Sequence, residues 1–166
     1  PTLLRTVCLS LLCALTARAE PTPIFDGRTL TGWEGDTTTT WRVVDGCIEA
    51  GSLERNQPRN EFLAWREELA NFDLTLRWKV EGTKGFVNGG VQFRSQRATN
   101  PPNEMIGYQA DIGAGHTGSL YDESRRKRVL AKVGTGVGSQ GVKGEAELKA
   151  LEKEGEWNTY EVVAVG

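Results

Sequence analysis

The stretch FDLTLRWKV, residues 72–80, constrains the fold more than any other part of the chain. Phe72, Leu74, Leu76, Trp78 and Val80 fall on one side; Asp73, Thr75, Arg77 and Lys79 fall on the other. A period of two is the repeat of a strand with one face in the core and one in water. GGVQFRSQ alternates in the same way, with Val91 and Phe93 inward and Gln92 and Arg94 outward. GYQADIG, residues 107–113, sets Tyr108, Ala110 and Ile112 against Gln109 and Asp111. WRVVDGCIEA places two strand-like runs around Asp45-Gly46, a pair suited to a tight hairpin turn. Further short runs are GSLYDE and EWNTYEVVAV, and only GEAELKALEKEG reads as a helix. Strands and helices do not alternate, which disfavours a parallel α/β sheet. The pattern predicts an all-β antiparallel β-sandwich of the jelly-roll kind.

The 166 residues do not all read as folded protein. Arg5, the apolar run Val7 to Leu15 and the small-residue site Ala17-Arg18-Ala19 have the pattern of a secretory signal peptide. The apolar run is too short for a membrane-spanning helix, and no later stretch is long and apolar enough for one. The expected division is a leader over 1–19 and one domain over 20–166, exported to the periplasm or the cell exterior. Trp157 to Val165 reads as a strand running straight into Gly166, which predicts further strands beyond this C-terminus. Without Arg5 and Arg18, eighteen basic residues face 22 acidic ones, a formal net charge of −4. That balance argues against nucleic acid as the main partner. Cys8 and Cys13 lie in the leader, so Cys47 alone remains. No intramolecular disulfide or cysteine metal site follows, and Cys47 is expected to pack as a small hydrophobe.

Several motifs fail on spacing. In GTGVGSQGVKGE, Lys143 is followed by Gly144 where a phosphate-binding loop needs Ser or Thr, and no βαβ context surrounds the glycines. A mobile surface loop is the plainer expectation. No G-x-S-x-G elbow is present. His116 is the only histidine, which rules out a multi-histidine zinc site but leaves a single acid, base or hydrogen bonder.

The polar phases are more informative. Asn88, Gln92 and Arg94 share one phase, and Gln109 and Asp111 share one. If the apolar phases fill the core, these five line one face. GSLYDESRR then adds Tyr121, Asp122, Glu123, Arg125 and Arg126. Amides, carboxylates, an aromatic ring and arginines together suit a polyhydroxylated ligand of sugar size. The plainer alternative is a solvated sheet face. A strand with Gln109 and Asp111 lacks the paired acids of a retaining glycosidase, for which Glu123 is the nearest partner in sequence.

The segments PIFDGRTLTGWEG, WRVVDGCIEA, NFDLTLRWKV, NGGVQFRS, GYQADIG, TGSLYDE and EWNTYEVVAVG, in this order, resemble the 3-keto-disaccharide hydrolase domain family. F-D-G-x-x-L-x-G-W and E-W-N-x-Y are the most specific of these. The resemblance covers essentially all of 20–166. It implies a concanavalin-like jelly roll, export, and cleavage of 3-keto-glycosides by a 1,2-lyase and hydratase route. Gln109-x-Asp111 stands where many members read Glu-x-Gln. A ketone at C3 acidifies the C2 proton, so one base, one enolate stabiliser and one acid suffice. The expected roles are Asp111 as base, Glu123 or His116 as acid, and Arg94 or Arg126 at the enolate. Asn88, Gln92, Gln109, Tyr121 and Arg125 would bind the sugar. A divalent cation held by Asp111 and backbone oxygens could replace the arginine. The alternative function is a non-catalytic carbohydrate-binding module, because the fold does not decide between the two.

Overall fold

The computed structural model describes residues 20–133 and 145–166. The leader and the glycine-rich stretch through Gly144 lie outside the described residues. In chain order the strands are β1 (Trp33–Glu34), β2 (Arg42–Val44), β3 (Cys47–Glu49), β4 (Ala64–Trp65), β5 (Phe72–Trp78), β6 (Asn88–Arg97), β7 (Met105–Gly113), β8 (Leu120–Glu123), β9 (Arg128–Ala131) and β10 (Asn158–Ala164). The helix α1 (Glu145–Leu151) precedes β10. It falls inside the one stretch whose spacing predicts helix. Among the described residues no helix is long and apolar enough to cross a membrane.

Every strand pairing is antiparallel. A four-stranded sheet runs β6-β7-β8-β9, and β10-β5, β2-β3 and β1-β4 form two-stranded sheets. The β2–β3 hairpin turns at Asp45 and Gly46, whose φ angles of 49° and 77° are both positive, as a twist-matched two-residue turn requires. Cys47, which follows, is half-buried rather than buried.

The β5/β10 pair lies on one face of the four-stranded sheet. Phe72 of β5 meets Phe93 of β6 edge-on at 6.4 Å across the two sheets, and within the pair Trp78 meets Tyr160 edge-on at 5.6 Å. Trp78, Ile112, Val162 and Ala164 are buried, which makes this an all-β antiparallel sandwich. The outer side of β5/β10 keeps Arg77 and Lys79 over the half-exposed Trp157 ring, at 5.3 and 5.8 Å. Cations on an aromatic face shield the indole without removing their own charge from water.

The opening motif builds the β1/β4 corner. Asp26 accepts hydrogen bonds from the backbone N–H groups of Arg28 and Thr29, each at 2.7 Å, and so fixes the turn. The Trp33 indole N–H donates to the carbonyl of Ile24 at 3.1 Å, and its ring packs edge-on against Trp65 at 5.3 Å. Gly32 has φ +86°, and a Cβ there would strike the Trp65 ring. Only glycine satisfies both conditions.

One irregularity decides which residues face which way. Phe93 pairs with Tyr108 and Gln96 with Ile106, so Arg94 and Ser95 together oppose Gly107. This is a β-bulge, absorbed by φ +49° at Arg94. Gly107 makes room, since a Cβ on it would fall on Ser95. Past the bulge the alternation of β6 is inverted.

Candidate active site

The ladder β6-β7-β8 puts Gln92 opposite Gln109, and Gln109 opposite Tyr121. Gly107 is opposite Glu123. Directly opposed residues in an antiparallel pair point to the same face. Gln92, Gln109, Asp111, Tyr121 and Glu123 therefore share one face, turned away from the β5/β10 pair. Asn88 lies at the end of that row, opposite Gly113, and is exposed.

This face is not a solvated sheet surface. Gln109 is 8% exposed and Asp111 5%. Gln109 Nε2 donates to Asp111 Oδ1 at 2.7 Å and orients the carboxylate. Gly90 stands opposite Asp111, and a Cβ there would lie 2.6 Å from Gln109 Cγ. The missing side chain is what lets the amide lie flat beside the acid. Gln92 has both its amide nitrogen and its amide oxygen buried with no hydrogen-bond partner. An orphaned buried polar group typically costs about 1–3 kcal/mol, and a ligand offering a donor and an acceptor would remove that cost.

Burial pushes the Asp111 carboxyl above its usual range, against the hydrogen bond from Gln109 and the charge of His116. Glu123 is raised by burial and then by the Glu104 carboxylate, against hydrogen bonds from Ser124. Tyr121 is raised by burial and by the charges of Glu123, Asp111 and Asp122, so its hydroxyl keeps its proton. Carboxyls held upward beside one orphaned amide are the kind of environment in which acid–base chemistry is found.

Two parts of the site were not expected from the sequence. Glu104, 8% exposed, accepts from Ser124 Oγ at 2.8 Å and faces Glu123. It precedes β7 in an irregular segment, where alternation gives no signal. Tyr160 Oη donates to the Asp111 carbonyl at 2.5 Å and accepts from Gly118 N–H at 2.6 Å. Burial pushes this phenol to about 12. Its inward phase on β10 and its place in E-W-N-x-Y could have flagged it. In the same motif the Asn158 amide ties the loop before β10 to the carbonyls of Lys153 and Glu156 at 2.9 and 3.0 Å.

The histidine and the arginines sit elsewhere. His116 is exposed on the turn after β7, with its ring 6.4 Å from exposed Phe86, and its charge reaches Asp111. Arg94 leaves the polar phase because of the bulge; its guanidinium donates to the Ala70 carbonyl and to Asn71 Oδ1. Arg125 and Arg126 clasp Asp122, each at 2.9 Å, and Arg125 stacks 4.8 Å over Tyr108. Asp122 pairs with Tyr108, so this cluster occupies the opposite face. Burial raises the Asp122 carboxyl, but the hydrogen bonds and charges of the two arginines outweigh it and hold it below its usual range. The expectation of arginines beside Asp111 is thus corrected. Among the described residues no group of three or more His, Cys, Asp or Glu side chains could hold a metal ion.

No solved structure matches this chain. It is 33% identical over 84 residues to a protein of Bacteroides thetaiotaomicron named 3-keto-disaccharide hydrolase; the match covers 46% of this chain and 28% of that protein. Residues 20–166 match the family described as the 3-keto-alpha-glucoside-1,2-lyase-like domain, and the chain belongs to that family.

Proposed function

We propose that this protein is an exported enzyme that cleaves 3-keto-glycosides by elimination followed by hydration. The enclosed Asp111–Gln109–Glu123 face, with its two upward-shifted carboxyls, carries the reading. Asp111 takes the C2 proton, made acidic by the C3 ketone. The electron pair enters the carbonyl, and the enolate oxygen is met by neutral donors, the Gln92 amide and the Tyr121 hydroxyl. These replace the arginines first expected in that role. Collapse of the enolate forms the C1=C2 double bond and breaks the C1–O bond, with Glu123 giving a proton to the departing oxygen. Water then adds across C1=C2, so the sum is hydrolysis.

The raised carboxyls suit both roles. A raised carboxyl makes Asp111 a stronger base than an ordinary aspartate, and makes the half-buried Glu123 bind its proton more tightly than an ordinary glutamate. Export rests on the Ala17-Arg18-Ala19 pattern and the apolar run before it.

The test is to incubate the protein with 3-keto-trehalose and with trehalose and to follow glucose release. Cleavage of the ketosugar alone is expected. Cleavage of both would replace elimination by ordinary glycoside hydrolysis. Binding without cleavage of either would assign the face to a carbohydrate-binding module.

A further inference from the structure

Glu104 and Glu123 meet at one serine hydroxyl. Ser124 Oγ lies 2.8 Å from Glu104 Oε1 and 3.5 Å from Glu123 Oε1. A serine hydroxyl has a single proton to donate, so only one of the two carboxyls can take it. The shorter contact assigns it to Glu104. We propose that Glu104 is a positioning residue for the acid: it holds the Ser124 hydroxyl away from Glu123, so that Glu123 keeps its own proton for the departing oxygen and recovers one from the water that follows. The inference rests on the elimination reading of the Asp111 face.

The backbone on both sides fixes this meeting. Glu123 ends β8, and Ser124 follows it at φ +53°. The Ser124 N–H donates to Glu123 Oε1 at 3.2 Å. Glu104 comes from the segment before β7, where the Ala98 N–H donates to the Glu104 carbonyl at 2.9 Å and the Phe62 N–H to the Asn103 carbonyl at 3.1 Å. Glu104 is 8% exposed, and among the described residues it forms no ion pair. A buried carboxylate with no cation depends on the donors it has, and a hydrogen bond to an ionised acceptor is a strong one.

The charges around Glu123 are of one sign. Glu104 bears on it from the segment before β7 and Asp111 from β7, and Tyr121 shares its face on β8. The cations of the neighbouring elements are engaged elsewhere or turned away. On β6, Arg94 donates to Ala70 and Asn71, and Arg97 pairs with Glu34. Arg125 and Arg126 hold Asp122, and Arg59 pairs with Glu61. Arg128 of β9 is opposite Asp122 and so belongs to the other face. An ionised Glu123 would therefore stand beside carboxylates with no cation to answer it.

That arrangement serves both halves of the reaction. In the elimination Asp111 gains the C2 proton, the C1–O bond breaks, and the proton of Glu123 goes to the leaving oxygen. Asp111 is then neutral, and Glu123 is a carboxylate next to Glu104. In the hydration the water oxygen bonds to C1, its proton passes to Glu123, and Asp111 returns its proton to C2. Repulsion from Glu104 favours the return of a proton to Glu123, and both carboxyls end as they began.

The experiment measures kcat/KM against pH for wild type, Glu104→Gln and Glu104→Asp, with melting temperatures reporting that each has folded. The substrates are 3-keto-trehalose and 4-nitrophenyl 3-keto-glucoside, whose acidic leaving group needs little help from a proton. With 3-keto-trehalose, Glu104→Gln should move the alkaline limb down by about one pH unit, tenfold in rate on that limb, and leave the acid limb in place. Glu104→Asp, which withdraws the carboxylate by one methylene, should move it the same way by less. With the nitrophenyl substrate the losses should be several-fold smaller. An alkaline limb unmoved in both variants, or equal losses on both substrates, would overturn the role of Glu104 while leaving the elimination reading intact. Turnover of neither substrate by wild type would remove the elimination reading and this inference with it.

Discussion

Asp122 and Glu123 are neighbours on β8 and point to opposite faces of one sheet. Asp122 has no solvent exposure, yet two arginines hold it and keep its carboxyl low. Glu123 has only Ser124 as a described donor, with the Glu104 and Asp111 carboxylates nearby, and its carboxyl is high. The same contrast separates Asp111, with one amide on it, from Asp122. One face spends its charged groups on holding the sheet together. The other leaves carboxyls under-satisfied, as a site awaiting a ligand must.

The comparison can be broken most decisively at Asp111. Asp111→Asn should lower turnover of 3-keto-trehalose by roughly 10²–10⁴-fold, the range for losing a positioned base. Its amide oxygen can still accept from Gln109, so the melting temperature should not fall. A fully active variant would remove Asp111 from the chemistry. Asp122→Asn should do the reverse. It strands two guanidiniums and should give the largest loss of melting temperature among these variants, measured by calorimetry, with little change in KM for the folded fraction. If it melted like wild type, the arginine clasp would not be structural.

Tyr160→Phe tests the contact between the two sheets. It deletes the hydrogen bonds to the Asp111 carbonyl and from Gly118, so kcat should fall about tenfold, in line with two bonds of about 0.5–1.5 kcal/mol each. KM should change less, because Tyr160 positions the base and does not touch the sugar. A rise in KM with kcat unchanged would contradict that role.

The smallest effects are pH slopes of opposite sign. Glu123 binds its proton more tightly folded than unfolded. Its contribution to stability is present below the unfolded value near 4.5 and is lost as pH rises through the raised folded value. Asp122 contributes above its unfolded value near 3.8 and loses that contribution as pH falls through its lowered folded value. Melting curves across pH should therefore flatten on the alkaline side of 4.5 for Glu123→Gln and on the acid side of 3.8 for Asp122→Asn. Identical profiles for the two variants would erase the distinction between the faces.

Period-two spacing was enough to read β5, β6, β7 and β10, and the Asp45-Gly46 turn marked the β2–β3 hairpin. It also put Gln92, Gln109 and Asp111 on one face, because their phases agree across a regular ladder. It could not place the arginines. Arg94 sits at the bulge, and an extra residue leaves no trace in composition. Arg125 and Arg126 follow Ser124 at φ +53° and precede Lys127 at φ +51°, where strand parity has no meaning. Asp122 was legible in principle, since it is out of phase with Tyr121 and Glu123. The two-residue strands β1 and β4 are too short for any period to show, although the opening motif that orders them was visible.

The bulge in β6 also makes one kind of genetic change harmless to the faces of the sheet. Deleting Arg94 or Ser95 would leave a single residue opposite Gly107, with Gln96 still opposite Ile106 and Arg97 still opposite Met105. The local kink would go, and the facing of the remaining side chains would hold. A one-residue insertion or deletion in a regular part of the strand has no such outlet and turns the residues beyond it to the other face. Among related chains, then, a gap at the bulge leaves the polar row intact, and an alignment that places the gap a few positions away would report the wrong side chains as sharing a face.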